Sequence, residues 1–184
     1  MVDVSIRTST PAYTVTARAL HWLTAILVLT QIPLGLAIVN VDLGAWKDGL
    51  YNLHKSIGAI LIPIVLFRLA YRLTHPPAPL PSDIPPAQRF AAEALHWALY
   101  ALLIVQGVTG WVATSAYPAP IPVFGLFELP PIWGEDRALA DRLYVVHRFV
   151  GITLAVLLVG HIGAALQHHF IRRDRVLMRM VSGG

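Results

Sequence analysis

The chain has 184 residues, of which 56% are hydrophobic and only 13% charged, with a formal net charge of +4 and a mean hydropathy of +0.62. So few charges exclude a soluble domain of this size and point to an integral membrane protein of one domain. Cysteine is absent, which excludes disulfides, thiolate metal sites, iron–sulfur clusters and thioether-attached haem.

In chain order, the first 19 residues carry Asp3 and no apolar core, and no small-residue cleavage site follows the first apolar run. They read as a short cytosolic arm rather than a secretory signal. An uncharged run over 20–39, containing Pro33 and Gly35, predicts the first span. The second, 50–73, has Lys55 and Arg68 near its ends, where long side chains can snorkel to the interface. The stretch HPPAPLPSDIPP over 75–86 cannot be helix. Residues 94–117 are uncharged and predict the third span. The segment 117–131 has five prolines and two phenylalanines, and reads as an ordered, surface-hugging loop. Residues 149–166 are uncharged, and apolar 143–146 moves the start of the fourth helix back to near Asp141. Each run approaches or exceeds the roughly 20 residues that cross a hydrocarbon core. Spanning strands are excluded because the runs are long and do not alternate. The expectation is an all-α, transmembrane four-helix bundle, with helices at approximately 15–40, 50–74, 88–116 and 141–171.

Lys and Arg set the orientation. One side collects Arg7, Arg18, Arg68, Arg72, Arg89, Arg172, Arg173, Arg175 and Arg179. The other holds Lys47, Lys55, Arg137, Arg142 and Arg148, several beside Asp42, Asp48, Glu135, Asp136 or Asp141. The positive-inside rule then makes both termini cytoplasmic. The tail RRDRVLMRM reads as a topology signal rather than a nucleic-acid site, so lipid is the expected partner and nucleic acid is not.

Orientation assigns depth to the histidines. His54 and His147 fall at the outer level; His21, His96 and His161 fall at the inner one. Ionisable residues at membrane depth are costly and mark function. His147 and His161 lie 14 residues apart on one helix, about 21 Å and close to four whole turns, so their rings share a face at two depths. A repeat accompanies them. Aligning His21-Trp22 with His96-Trp97 brings Gln31 onto Gln106 and Gly35 onto Gly110. In a second register HKSIG (His54 to Gly58) matches HRFVG (His147 to Gly151), and Arg68 falls opposite His161. Gly58 and Gly151, one turn beyond a histidine, leave a gap on its face for a flat macrocycle.

Haem b is the natural ligand for such pairs: two imidazoles saturate the iron and the porphyrin fills the apolar interior. Zinc fits less well, since two histidines per level leave its shell half empty and no carboxylate sits at that depth. Proton relays usually use Asp or Glu within the spans, and these spans have neither. Histidines merely hydrogen-bonded between helices are the remaining alternative, and matched depths weigh against it.

The ordered set RALHWL (18–23), LHKSIG (53–58), LFRLAYRL with its following prolines, LHWALY (95–100), VHRFVG (146–151) and GHIGAALQHHF (160–170) resembles the bacterial members of the cytochrome b561 family, di-haem four-helix membrane proteins. The resemblance covers nearly the whole chain. It implies two haem b groups with bis-histidine ligation, His54 with His147 on the outer side and His21 with His161 on the inner side. Depth alone leaves His21 and His96 open for the inner pair. The resemblance also implies electron exchange with ubiquinone, and makes superoxide the expected periplasmic donor. Beside it, His96 and His168 are candidates for a quinone site, because an imidazole can donate a hydrogen bond and pass protons. Arg68 is a candidate partner for an inner propionate. Lys55 and Arg148 could serve the outer propionates or attract an anion. Trp22, Trp97, Trp46, Trp111 and Trp133 read as interfacial belt residues. A second reading makes the chain the membrane anchor and electron conduit of a separate dehydrogenase or hydrogenase subunit; the loop 117–131 would be its docking surface.

Overall fold

Thr14 starts the first helix by accepting the backbone N–H of Ala17 at 3.1 Å on its hydroxyl, the usual N-cap arrangement. The computed structural model describes residues 13–77, 79–80 and 83–183. Asp3 and Arg7, with most of the expected cytosolic arm, lie outside the described residues. Helix α1 (Val15–Asn40) leads through a 3₁₀ turn (Gly44–Trp46) into α2 (Lys47–Thr74). Then come α3 (Pro86–Ala116), a two-stranded antiparallel hairpin of β1 (Pro122–Val123) and β2 (Phe127–Glu128), and α4 (Arg137–Gln167). A π-helical turn (His168–Arg172) and the short α5 (Val176–Val181) complete the chain.

All four expected spans are present, and three begin earlier than expected. The 3₁₀ turn feeds directly into α2 at Lys47. Helix α3 starts at Pro86, because proline at the first helical position forfeits only an N–H that would be unpaired anyway. Helix α4 starts at Arg137, because Asp136 accepts from the Leu139 N–H at 2.9 Å. Pro33 and Pro63 lie inside α1 and α2 without ending them, as neighbouring helices permit within a membrane. The 117–131 connection is ordered, as expected, and contains the hairpin as well. Phe124 and Gly125 turn it with φ of 51° and 72°, and Gly125 takes that left-handed geometry without a Cβ clash.

Among the described residues, four helical stretches are long and apolar enough to cross a membrane. Their outer faces stay open: Ile26, Phe149, Val156 and Val159 are all exposed. Hydrocarbon, not water, suits such faces, and helix association there depends on close packing rather than on burial of apolar area. The most extensive packing is between α3 and α4, then between α1 and α2, and α2 joins the two hairpins through α3. The buried cluster is Val28, Leu61, Val65, Tyr100 and Leu154. It occupies the middle of the bundle, between the two histidine levels. An even number of spans returns both termini to one end, called here the terminal end; the opposite end carries the hairpin.

Candidate functional site

Toward the hairpin end, α2 supplies His54 and α4 supplies His147, with ring centroids 6.2 Å apart. A Cβ on Gly35 would stand 3.0 Å from Cε1 of His54, and one on Gly110 would stand 3.0 Å from Cε1 of His147. The two glycines therefore let the Cε1 edge of each ring come up against a neighbouring helix. Gly58 and Gly151, expected to open space beside the histidines, face the amides of Gln31 and Gln106 instead, at 3.2 and 3.1 Å from a would-be Cβ. Gln31 donates to the His54 carbonyl at 2.7 Å. Gln106 Nε2 lies 2.9 Å from His147 Nε2, and Thr109 Oγ1 lies 3.3 Å from His147 Nδ1. An amide nitrogen only donates, so His147 Nε2 accepts and the ring's proton belongs on Nδ1. That tautomer is the one in which Nε2 can bind a metal. His54 Nδ1 is buried with no hydrogen-bond partner among the described residues.

Toward the terminal end, His21 of α1 and His161 of α4 again stand 6.2 Å apart. His96 of α3 is closer to His161, at 5.3 Å, and hydrogen-bonds the Ala92 backbone. Arg68 places a guanidinium nitrogen 2.8 Å from His21 Nδ1. Its Cζ also lies 5.2 Å from the centre of the Tyr100 ring. Arg72 approaches the same ring at 5.9 Å and the Trp97 ring at 5.6 Å, distances at which a cation is attracted to the aromatic face. The helical register thus assembles all three inner histidines and Arg68 in one cluster.

The other nominated residues are dispersed. Lys55 donates to the Pro120 carbonyl at 2.7 Å, tying α2 to the hairpin connection, while Arg148 is exposed. His168 begins the π-helical turn and hydrogen-bonds the Asp174 carboxylate. Arg172 lies 3.5 Å from that carboxylate and 2.9 Å from Asp83. Burial alone would raise the Asp174 pKa, but hydrogen bonds from His168 and the Val176 N–H, with the charges of His168 and Arg172, hold it below its ordinary value. Gln31, Gln106, Gly35 and Gly110 carry no role in the sequence reading, although the repeat aligned them; Thr109, Tyr100 and Asp174 gave no sequence signal.

The residues fit a bis-histidine macrocycle better than a bare ion. Among the described residues no group of three or more His, Cys, Asp or Glu side chains is placed to hold a metal ion. Two metal–imidazole bonds of about 2.0 Å and two ring radii of about 1.1 Å place opposed rings roughly 6.2 Å apart. Both expected pairs have that separation.

Four apolar helices with histidine pairs at two depths define a membrane electron-transfer cytochrome of the helical-bundle class. The chain belongs to the prokaryotic cytochrome b561 family, whose model matches residues 12–183. The family is one of b-type cytochromes, so haem b is the implied cofactor. The chain is 41% identical over 180 residues to "Cytochrome b561 homolog 2" of Escherichia coli (strain K12), covering 95% of this chain and 94% of that one. It is 26% identical over 168 residues to "Probable superoxide oxidase CybB" of Yersinia pestis, covering 88% and 91%. It is 27% identical over 175 residues to "Cytochrome b561 homolog 1" of Escherichia coli (strain K12), covering 88% and 92%. Family and fold together make it a multi-pass bacterial membrane protein.

Proposed function

We propose that the chain binds two haem b groups and moves electrons from a periplasmic donor, superoxide, to ubiquinone. His54 and His147 hold the outer haem, and His21 and His161 the inner one. The observation that carries this reading is the common 6.2 Å separation of the two pairs, set 14 residues apart along α4. Haem b, when bound, supplies a one-electron carrier at each level.

The chain's own groups supply the rest. Thr109 faces the Nδ1 proton of His147, and Nε2 becomes the ligating atom once the Gln106 amide gives it up. Ligation by His21 through Nε2 needs a proton on Nδ1, the atom now facing Arg68. The guanidinium would then be free to pair with a propionate at the same level. Arg148 and Lys55 make the outer surface cationic and favour an anionic donor. The basic residues at the terminal end favour cytoplasmic termini and an inner-membrane location. Similarity to the Yersinia pestis protein, named a probable superoxide oxidase, supports superoxide as the donor. His96 and His168 flank the inner level and suit a quinone, whose carbonyl needs a hydrogen-bond donor.

One observation favours a variant of the inner pair. The bond from His96 to Ala92 resembles the outer hydrogen bond that metal-bound imidazoles usually make, whereas its 5.3 Å approach to His161 is short for opposed ligands. The conduit role for a separate dehydrogenase or hydrogenase subunit rests on the exposed Phe124, Leu126 and Phe127 of the hairpin.

The test is haem counting by pyridine haemochrome on purified protein. His54→Ala and His21→Ala each retain one haem of two, and His96→Ala retains both. Haem loss from His96→Ala but not from His21→Ala reassigns the inner pair; two low-spin haems in the His54 variant defeat the scheme. The isolated chain reduces ubiquinone with enzymatically generated superoxide. Inactivity together with a co-purifying dehydrogenase supports the conduit role instead.

A further inference from the structure

After Gln167 the fourth helix does not simply stop. It widens into the π-helical turn His168–Arg172 and ends on Arg173, a non-glycine residue at φ 55°. The N–H of Arg173 and that of Asp174 both return to the His168 carbonyl. π-Turns and left-handed non-glycine residues are uncommon and concentrate at functional sites. Here they bring Asp174 back onto the ring of His168. The side chains of His168 and Asp174 are 18% and 17% exposed, so both are largely buried but still reached by water.

The chain beyond is pinned under the bundle. Trp22 Nε1 donates to the Met180 carbonyl at 3.0 Å, and the buried Arg179 donates to the Pro79 carbonyl at 2.8 Å. Arg172 bridges Asp174 and Asp83 of the α2–α3 connection. The charged group in contact with His168 is Asp174, and through it Arg172, which also reaches Asp83. Above it on α4, seven residues away, is His161.

We propose that Asp174 is the positioning residue of a proton-delivery pair, with His168 as the donor to a quinone reduced at the terminal end. This rests on the quinone reading above. Asp174 accepts from Nδ1 of His168 and leaves Nε2 free to face a quinone carbonyl. Reduction of one quinone takes two electrons, supplied singly by the periplasmic donor, and two protons. Each proton leaves Nε2 as the N–H bond breaks and an O–H bond forms on the quinone, and cytoplasmic water then reprotonates the ring. Arg172 compensates the Asp174 carboxylate while the ring is neutral, so the pair stays assembled between the two transfers.

The experiment uses holoprotein with reduced haems, mixed with ubiquinone-1 and followed by haem reoxidation between pH 5 and pH 9. Asp174→Asn reoxidises like wild type below about pH 6, where an imidazole is protonated without help. By pH 8 it falls about tenfold behind, because an amide does not stabilise the imidazolium. Asp174→Glu restores the alkaline rate. In parallel, nitrogen NMR of labelled histidine detects the proton on His168 Nδ1 in wild type and its redistribution in Asp174→Asn. A variant slowed equally at every pH has lost only structure and overturns the proposal, as does one with the wild-type profile. Wild-type haems that ubiquinone-1 reoxidises at no pH overturn the quinone reading itself.

Discussion

Gly110 lies directly against the imidazole of His147: a Cβ added there would stand 3.0 Å from Cε1 and 3.3 Å from Nδ1. Gly35 stands in the same relation to His54. The pair of contacts repeats across the two halves of the bundle and fixes how closely each ring approaches the next helix.

Gly110→Ala therefore pushes His147 aside by a few tenths of an ångström or tilts α4. The expected outcome is weakened haem binding at the hairpin end, with haem content falling from two toward one while the helical circular dichroism is kept. Overpacking of this kind costs roughly 1–3 kcal/mol. Gly49→Ala is the control, since nothing lies within 4 Å of a Cβ there and no histidine adjoins it.

Arg68 is a half-buried cation beside His21. A positive charge favours the reduced, less positive form of a nearby haem, so removing it lowers the midpoint potential. Arg68→Leu should lower one of two haem midpoints by on the order of 60 mV in a spectroelectrochemical titration, and leave the other unchanged. Equal shifts in both haems would contradict its placement at one level.

Ser56 holds the hairpin to α2. Its buried hydroxyl faces the Asn52 and Pro122 carbonyls and accepts from the Phe124 N–H at 3.0 Å. Ser56→Ala leaves hairpin groups unpaired at a cost of about 1–3 kcal/mol. Faster amide exchange over 121–129, with unchanged exchange in the centres of α3 and α4, is the expected reading.

Acid should release the C-terminal segment. The Asp174 carboxyl is held below its ordinary value of 3.8, so its contribution is complete above that value. The contribution is lost as the pH falls through the lower folded value. Exchange of the Val176 N–H, which donates to Asp174 at 3.0 Å, should rise relative to neighbouring amides as the pH is taken below about 4. Asp174→Asn should abolish that pH dependence.

Much of the site was legible because helical periodicity is local. Runs of apolar residues gave the four spans, and the 14-residue step from His147 to His161 put two rings on one face. The repeat also singled out Gln31, Gln106, Gly35 and Gly110, although it did not say what they touch. Helix starts were less legible, because Pro86 and Asp136 act through cap geometry outside the apolar pattern. The short hairpin was hidden by its prolines, since its backbone groups are satisfied by Ser56, more than sixty residues earlier.

Composition and spacing thus determined a membrane bundle and put His54 and His147 at one level, and His21, His96 and His161 at the other. Depth could not choose between His21 and His96, which enter the same level from different helices. Tertiary structure set them at 6.2 and 5.3 Å from His161, and brought Arg68 to His21 and Asp174 to His168. A helix's own sequence sets the rise and angle of each side chain. The rotation of one helix against another, and the return of a chain end, depend on packing between distant segments.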